Sequence, residues 1–79
     1  MEGRIMAKYI IKNNLPTESD HTPDVWNTED EAMIAFGNTV GILRAKYPTK
    51  VVFRNNPLRG TIQVEIDGFY YYVELYREG

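Results

Sequence analysis

The sequence predicts an α+β domain in which one helix packs on one face of a mostly antiparallel four-stranded sheet, in the order β-α-β-β-β. Near the C-terminus, apolar and polar residues alternate on both sides of Asp67-Gly68, which is the pattern of a β-hairpin. Residues 28–48 instead repeat apolar residues at helical spacing, between a capping motif and a proline. A helix with one apolar stripe has to cover the apolar face of the sheet, which gives two layers.

The composition is that of a single ordinary globular domain. The 79 residues are 43% hydrophobic and 25% charged, and they include no cysteine, which excludes disulfides and thiolate chemistry. No apolar run approaches the roughly 20 residues that span a bilayer, so we expect a cytoplasmic protein without a membrane partner. Six of the 11 acidic residues lie between positions 18 and 31, a segment that holds no Lys or Arg. The rest of the chain therefore has five acidic residues and all nine basic residues.

The first strand is predicted at residues 5–12, and residues 1–5 are expected to be frayed. The alternation leaves open which face of this strand is buried, because Ile10 and Ile11 point to opposite faces and both are apolar. Residues 13–27 then form a long acidic connection, which is predicted to be a solvated loop held by Trp26 against the start of the helix.

Thr28 and Glu31 have the spacing of a capping box, so the helix is predicted from Glu29 to Lys46, with Pro48 ending it. Its apolar stripe consists of Met33, Phe36, Val40, Leu43 and Tyr47, flanked by Ala32, Thr39 and Ile42. Gly37 and Gly41 lie one turn apart, and we expect them to allow close packing of the helix on the sheet. The alternative is a flexible helix or a groove that faces a partner.

The second strand is predicted at residues 49–54, with Val51 and Phe53 facing the helix, followed by a turn over residues 55–60. The hairpin strands are residues 61–66 and 69–76, and the two-residue loop sets Ile66 opposite Phe69. One hairpin face is therefore a core wall of Ile62, Val64, Ile66, Phe69, Tyr71, Val73 and Leu75. The opposite face carries Thr61, Gln63, Glu65, Tyr70, Tyr72, Glu74 and Tyr76. The position of the first strand in the sheet is not determined.

Residue types give little support to catalysis. His21 is the only histidine, and it shares one loop with Ser19 and Asp20, which is not the rigid arrangement that a nucleophile and its base require. Glu18, Asp20, His21 and Asp24 lack the spacing of a calcium loop. We therefore expect no enzymatic activity, no metal and no cofactor.

The sheet face that the helix leaves uncovered is the candidate binding surface. It is predicted to carry Tyr70, Tyr72, Tyr76, Lys50 and Arg54. Exposed tyrosines are typical of interfaces, although their presence here is explained equally well by the high strand propensity of tyrosine. The acidic residues Glu18, Asp20 and Asp24 form a second candidate site, because clustered carboxylates can imitate a phosphate backbone.

The function predicted from these features is that of a small non-enzymatic binding protein, an inhibitor or adaptor that occupies a surface of a larger protein. Small domains without cysteines or motifs are common among phage and mobile-element proteins that bind host machinery. The larger protein could therefore be a host protein. The alternative is single-stranded nucleic-acid binding through the same tyrosines and cations. A homodimer is left open alongside either function.

Overall fold

A computed structural model describes residues 7–79 as one helix and five strands. The elements are β1 (Lys8–Asn13), β2 (Asp24–Trp26), α1 (Glu29–Lys46), β3 (Thr49–Asn55), β4 (Leu58–Ile66) and β5 (Phe69–Glu78). All strands belong to one sheet in the order β2-β1-β5-β4-β3, and every neighbouring pair is antiparallel. The helix packs on one face of this sheet, so the predicted α+β class is confirmed.

The fifth strand is a correction to the predicted order β-α-β-β-β. Residues 24–26 of the connection form β2, which pairs with β1 so that Val25 lies opposite Ile10. Three residues are too few to show an alternating pattern, so no strand was predicted here. The irregular connection therefore spans residues 14–23, and Leu15 within it is buried in the core.

The hairpin of β4 and β5 has the predicted register. Ile66 lies opposite Phe69 and Gln63 opposite Tyr72. Asp67 and Gly68 both have positive φ, 53° and 84°, as a type I′ turn requires. The strands are longer than predicted, since β4 begins at Leu58 instead of position 61 and β5 continues to Glu78 because β1 pairs along it.

The first strand begins and ends later than predicted. It covers Lys8–Asn13, while the predicted positions 5 and 6 and the expected fraying of residues 1–5 lie outside the described residues. It has a buried apolar residue on each of its two faces. Ile11 lies opposite Leu75 under the helix, and Ile10 lies on the other side of the sheet between Val25 and Tyr76.

Helix α1 has the predicted bounds, and its N-terminus is capped by Thr28. The Thr28 hydroxyl accepts a hydrogen bond from the Glu31 amide at 3.2 Å and donates one to the Glu31 carboxylate at 2.9 Å. The predicted stripe is confirmed at Phe36 and Leu43, which are buried, whereas Ile42 is exposed.

The expectation that both helix glycines allow close packing is wrong. Gly37 and Gly41 are exposed, and apart from their chain neighbours and the adjacent helix backbone no described atom lies within 4 Å of the position that a Cβ would take at either glycine. The close approach occurs instead at Gly60 in β4, where a Cβ would lie 2.9 Å from a ring carbon of Phe36. The helix therefore contacts the sheet through an aromatic side chain above a glycine of β4.

The helix does not cover the whole sheet. Its backbone lies nearest to β1 and β2, which leaves the helix side of β3 open, with Val51 39% exposed and Phe53 38% exposed. These two residues face the helix side as predicted, but they are only partly covered. Phe69, predicted to belong to the core wall, is 67% exposed at the hairpin tip, although Ile66 directly opposite it is buried.

Candidate macromolecule-binding face of the sheet

We call the side of the sheet opposite α1 the open face. Its side chains alternate with those of the core, so the register assigns them directly. All five residues predicted to form the sheet site lie on it, namely Tyr70, Tyr72 and Tyr76 of β5 and Lys50 and Arg54 of β3. Rows across the strands give the layout: Tyr72, Gln63 and Lys50 form one row, and Tyr76, Arg59 and Arg54 form another.

The tyrosines of the open face differ in exposure. Tyr70 is 58% exposed and Tyr72 is 43% exposed, while Tyr76 is half-buried and has the ammonium of Lys12 5.4 Å from its ring centroid. The backbone of Tyr72 is held by Asn14, whose side-chain oxygen accepts from the Tyr72 amide at 2.8 Å. Two neighbouring phenol rings therefore face outward from the part of β5 that pairs with β4.

Glu74 is the centre of a small charge network between these tyrosines. Its carboxylate lies 3.7 Å from the Lys12 ammonium and 3.4 Å from the Arg59 guanidinium. Each pair is partly solvated, so each is worth no more than about 1 kcal/mol. Because two cations share one carboxylate, the network leaves positive charge at the surface.

The open face as a whole is moderately basic. Its charged residues in the strands are five bases and three acids, which gives 5 − 3 = +2: Lys8, Lys12, Lys50, Arg54 and Arg59 against Glu65, Glu74 and Glu78. This balance differs from the net charge of −2 for the whole chain. A partner surface with acidic groups fits this face better than a basic one.

The sequence prediction placed Arg59 in a turn, as a weak anion contact at most, and did not include it in the sheet site. In the structure it lies directly opposite Arg54, and the two line a shallow depression with Val52 and Thr61. Like charges directly opposite each other on neighbouring strands are unfavourable, and a bound anionic group would relieve the repulsion. The signal was present in the sequence, because Leu58 continues the apolar alternation of β4 backwards from Ile62.

The predicted acidic site lies on the other side of the sheet. Glu18 and Asp24 line a groove of about 440 Å³ between the connection and the C-terminal half of α1, with Lys46 as the cation of the same groove. Asp24 shares a side of the sheet with Ile11, its partner across β1 and β2. The structure therefore does not bring Glu18 and Asp24 together with the tyrosines.

The third acidic residue, Asp20, organises its own loop. Its carboxylate accepts from the Thr22 hydroxyl at 2.6 Å and from the Thr22 amide at 2.9 Å. These bonds lower the pKa of Asp20 below its ordinary value, and the hydroxyl bond contributes more than the amide bond. The associated stabilisation is present above the ordinary pKa and is lost as the pH falls through the lowered value.

We expect Thr22→Val to raise the pKa of Asp20 towards its ordinary value, because the valine removes the hydroxyl donor and keeps the backbone amide. An NMR titration of the carboxyl carbon measures the shift. Thr22→Ser keeps a hydroxyl and is the control, for which the pKa stays low. An unchanged pKa in Thr22→Val would show that the hydroxyl bond is not formed in solution.

Ser19, Asp20 and His21 do not form a nucleophile, acid and base arrangement. The His21 ring nitrogen Nε2 lies 2.7 Å from the backbone oxygen of Leu15, and the Asp20 carboxylate binds Thr22 instead of the histidine. Within residues 7–79 no group of three or more metal-ligating side chains is assembled. The histidine instead fixes the loop to the core residue Leu15.

Comparisons with known proteins identify no relative of this chain. No protein-family model matches the chain, and neither the curated proteins nor the solved structures include a significant match. In the part of the chain that the structure describes, α1 is not long and apolar enough to cross a membrane.

Proposed function

We propose that this chain is a non-enzymatic binding protein that docks the open face of its sheet on a larger protein and acts there as an inhibitor or adaptor. The observation that carries this proposal is the exposure of Tyr70 and Tyr72, side by side on β5, where both residues pair with β4 and Tyr72 also bonds to Asn14. A rigid strand presents these rings in fixed positions, so little conformational entropy is lost when a partner covers them.

The chemistry of the face indicates the kind of partner surface. Tyrosine provides apolar contact area together with a hydroxyl that can hydrogen-bond, and aromatic anchors of this type often contribute about 2 kcal/mol or more each to binding. Lys50 and Arg54 lie on β3 beside this area and favour acidic groups at the rim of the interface. Glu18, Asp20 and Asp24 are proposed as a second contact, which requires a partner that reaches the helix side.

Single-stranded nucleic acid is the alternative occupant, and one observation favours it. Arg54, Arg59 and Tyr76 form a continuous row across three strands, where a phosphate would separate the two arginines and a base would stack on the ring. The nearby carboxylate of Glu74 opposes this by repelling phosphate. Binding of a fluorescent oligothymidine, measured by anisotropy, tests the alternative, and its affinity must fall steeply with salt.

The proposed protein contact is tested by a double substitution, Tyr70→Thr with Tyr72→Thr. Threonine keeps a high strand propensity, so the fold is expected to persist while the aromatic contact area is lost. Proteins captured on the immobilised chain from a lysate of its expressing cells are identified by mass spectrometry. We expect at least one protein captured by the original chain to be lost, with an affinity at least about 100-fold weaker on direct measurement.

The matched control is Phe69→Thr, which removes an exposed aromatic residue from the neighbouring position on the opposite side of the same strand. Capture that persists in Phe69→Thr and disappears in the tyrosine variant assigns the contact to the open face. Equal loss in both variants would point to general hydrophobic adhesion. Full capture by the tyrosine variant would remove the open face from the proposal.

A further inference from the structure

The outer edge of β3 carries backbone groups that no strand within residues 7–79 uses. β3 is the last strand of the sheet and pairs only with β4. Antiparallel ladders alternate between pairs that exchange hydrogen bonds and pairs that do not, so alternate residues direct their N–H and C=O groups to opposite edges. One observed bond fixes which residues point in each direction.

That bond runs from the Glu65 amide to the Pro48 oxygen at 3.0 Å, and it makes these residues a hydrogen-bonded pair. The alternation then directs Lys50, Val52 and Arg54 towards β4. The type I′ turn at Asp67-Gly68 gives the same assignment. Its closing pair, Ile66 and Phe69, is hydrogen-bonded, so Ile66 directs its backbone groups to β5. The alternation along β4 then directs those of Glu65 and Gln63 to β3. The backbone groups of the remaining β3 residues therefore point away from the sheet: Thr49, Val51, Phe53 and Asn55.

The side chains along this edge divide by chemistry as well as by face. Val51 and Phe53 lie on the helix side and remain more than one-third exposed. Lys50 and Arg54 lie on the open face with the exposed Val52 between them. A strand added to this edge would thus meet an apolar surface on one side and two cations on the other.

We propose that the edge of β3 binds an extended segment of a partner protein as a sixth, antiparallel strand. The segment alternates apolar residues, which face Val51 and Phe53, with acidic residues, which face Lys50 and Arg54. Main-chain hydrogen bonds from Thr49, Val51, Phe53 and Asn55 hold it, and the two cations select its charge. This site goes beyond the open-face function, since it uses the backbone of β3 and none of the tyrosines.

A second copy of the chain suits this edge less well than an acidic segment. The self-pairing that uses all four outward residues has Val52 at its centre, which places Lys50 directly opposite Arg54 of the second copy, and Arg54 opposite Lys50. Like charges in directly opposed positions are unfavourable, and the charged edge therefore discourages pairing with itself. Any shifted register without this repulsion loses hydrogen-bonded pairs.

The test uses a capped peptide of the same length as β3, with the sequence Thr-Glu-Val-Thr-Val-Glu-Thr, and amide hydrogen exchange measured by NMR. In the free protein we expect fast exchange at Val51 and Phe53 and slow exchange at Val52. When free peptide is present at ten times its dissociation constant, exchange at Val51 and Phe53 should slow about tenfold. Exchange at Val52 should change far less, because its amide already bonds to β4.

Two altered peptides separate the hydrogen bonds from the charges. Methylation of the two valine nitrogens removes the donors that face Val51 and Phe53 without changing the side chains, and it should abolish binding. Replacement of both glutamates by lysine should weaken binding for the original chain and restore it for the double variant Lys50→Glu with Arg54→Glu. The peptide should still bind the Tyr70→Thr, Tyr72→Thr variant, so this proposal and the open-face proposal can fail separately.

Three results would overturn the inference. The first is binding that survives nitrogen methylation, since strand addition requires those donors. The second is protection of Val51 and Phe53 that increases with protein concentration in the absence of peptide, which would identify a second copy of the chain as the occupant. The third is uniform protection along β3 in the free protein, which would show that the edge is already occupied.

Discussion

Phe36→Ala is expected to lower the free energy of unfolding by about 3–5 kcal/mol, the range for removing a buried phenylalanine. Phe36 is 4% exposed and packs between α1 and the strands β3 and β4. Its ring stacks on that of Phe53, with the centroids 6.3 Å apart, and also covers Gly60. Alanine would leave a cavity that the backbone of β4 cannot fill.

The size of this loss matters because the domain is small. Natural domains have roughly 0.05–0.15 kcal/mol of stability per residue, so a chain of 79 residues has about 4–12 kcal/mol in total. Phe36→Ala is therefore expected to remove between about one quarter and all of the total stability. Urea denaturation followed by circular dichroism measures the change, with the slope of the transition checked for two-state behaviour.

Ile34→Ala provides the control for this prediction, since it truncates an apolar side chain in the same helix at a position that is 65% exposed. Alanine has the higher helix propensity, so we expect a change of about 0.5 kcal/mol or less. A similar loss in both variants would show that the helix rests on the sheet through a different face from the one described.

The sequence predicted those elements whose local pattern agrees with their tertiary environment. The hairpin follows from Asp67-Gly68 and its alternating flanks, and α1 follows from its cap and from Pro48. The core side of β4 follows from the period of two. In each case the local signal extends over many residues, and the rest of the fold does not override it.

The predictions failed where the structure depends on neighbours that are distant in sequence. β2 is a strand only because β1 offers it an edge, and Ile10 is buried only because Val25 and Tyr76 flank it. The position of the helix over the sheet, which leaves Val51 and Phe53 partly open, depends on packing that no local pattern specifies. The outward-facing backbone of β3 likewise became evident only once the strand order was known.

Gly60→Ala is expected to destabilise the chain by about 1–3 kcal/mol, the usual cost of overpacking. The new Cβ would lie 2.8 Å from a ring carbon of Phe53 and 2.9 Å from one of Phe36, distances at which an atom has to move. Phe53 is partly exposed and can shift, but Phe36 is held in the core. The penalty therefore comes mainly from Phe36.

Gly37→Ala is expected to change stability in the opposite direction. A Cβ there meets no described atom within 4 Å apart from the chain neighbours and the adjacent helix backbone, and alanine in a helix is favoured over glycine by about 0.5–1 kcal/mol. We therefore expect Gly37→Ala to raise the free energy of unfolding while Gly60→Ala lowers it. Both are measured by urea denaturation under identical conditions.

A double-mutant cycle then assigns the penalty at Gly60 to its cause. Phe36→Leu removes the two Phe36 ring carbons that a Cβ at position 60 would meet, so Gly60→Ala should cost less in that background than in the original chain. The difference is the coupling energy between the two positions, which we expect to be on the order of 1 kcal/mol. A coupling energy near zero would mean that Phe36 does not lie against Gly60 and that the helix is placed elsewhere on the sheet.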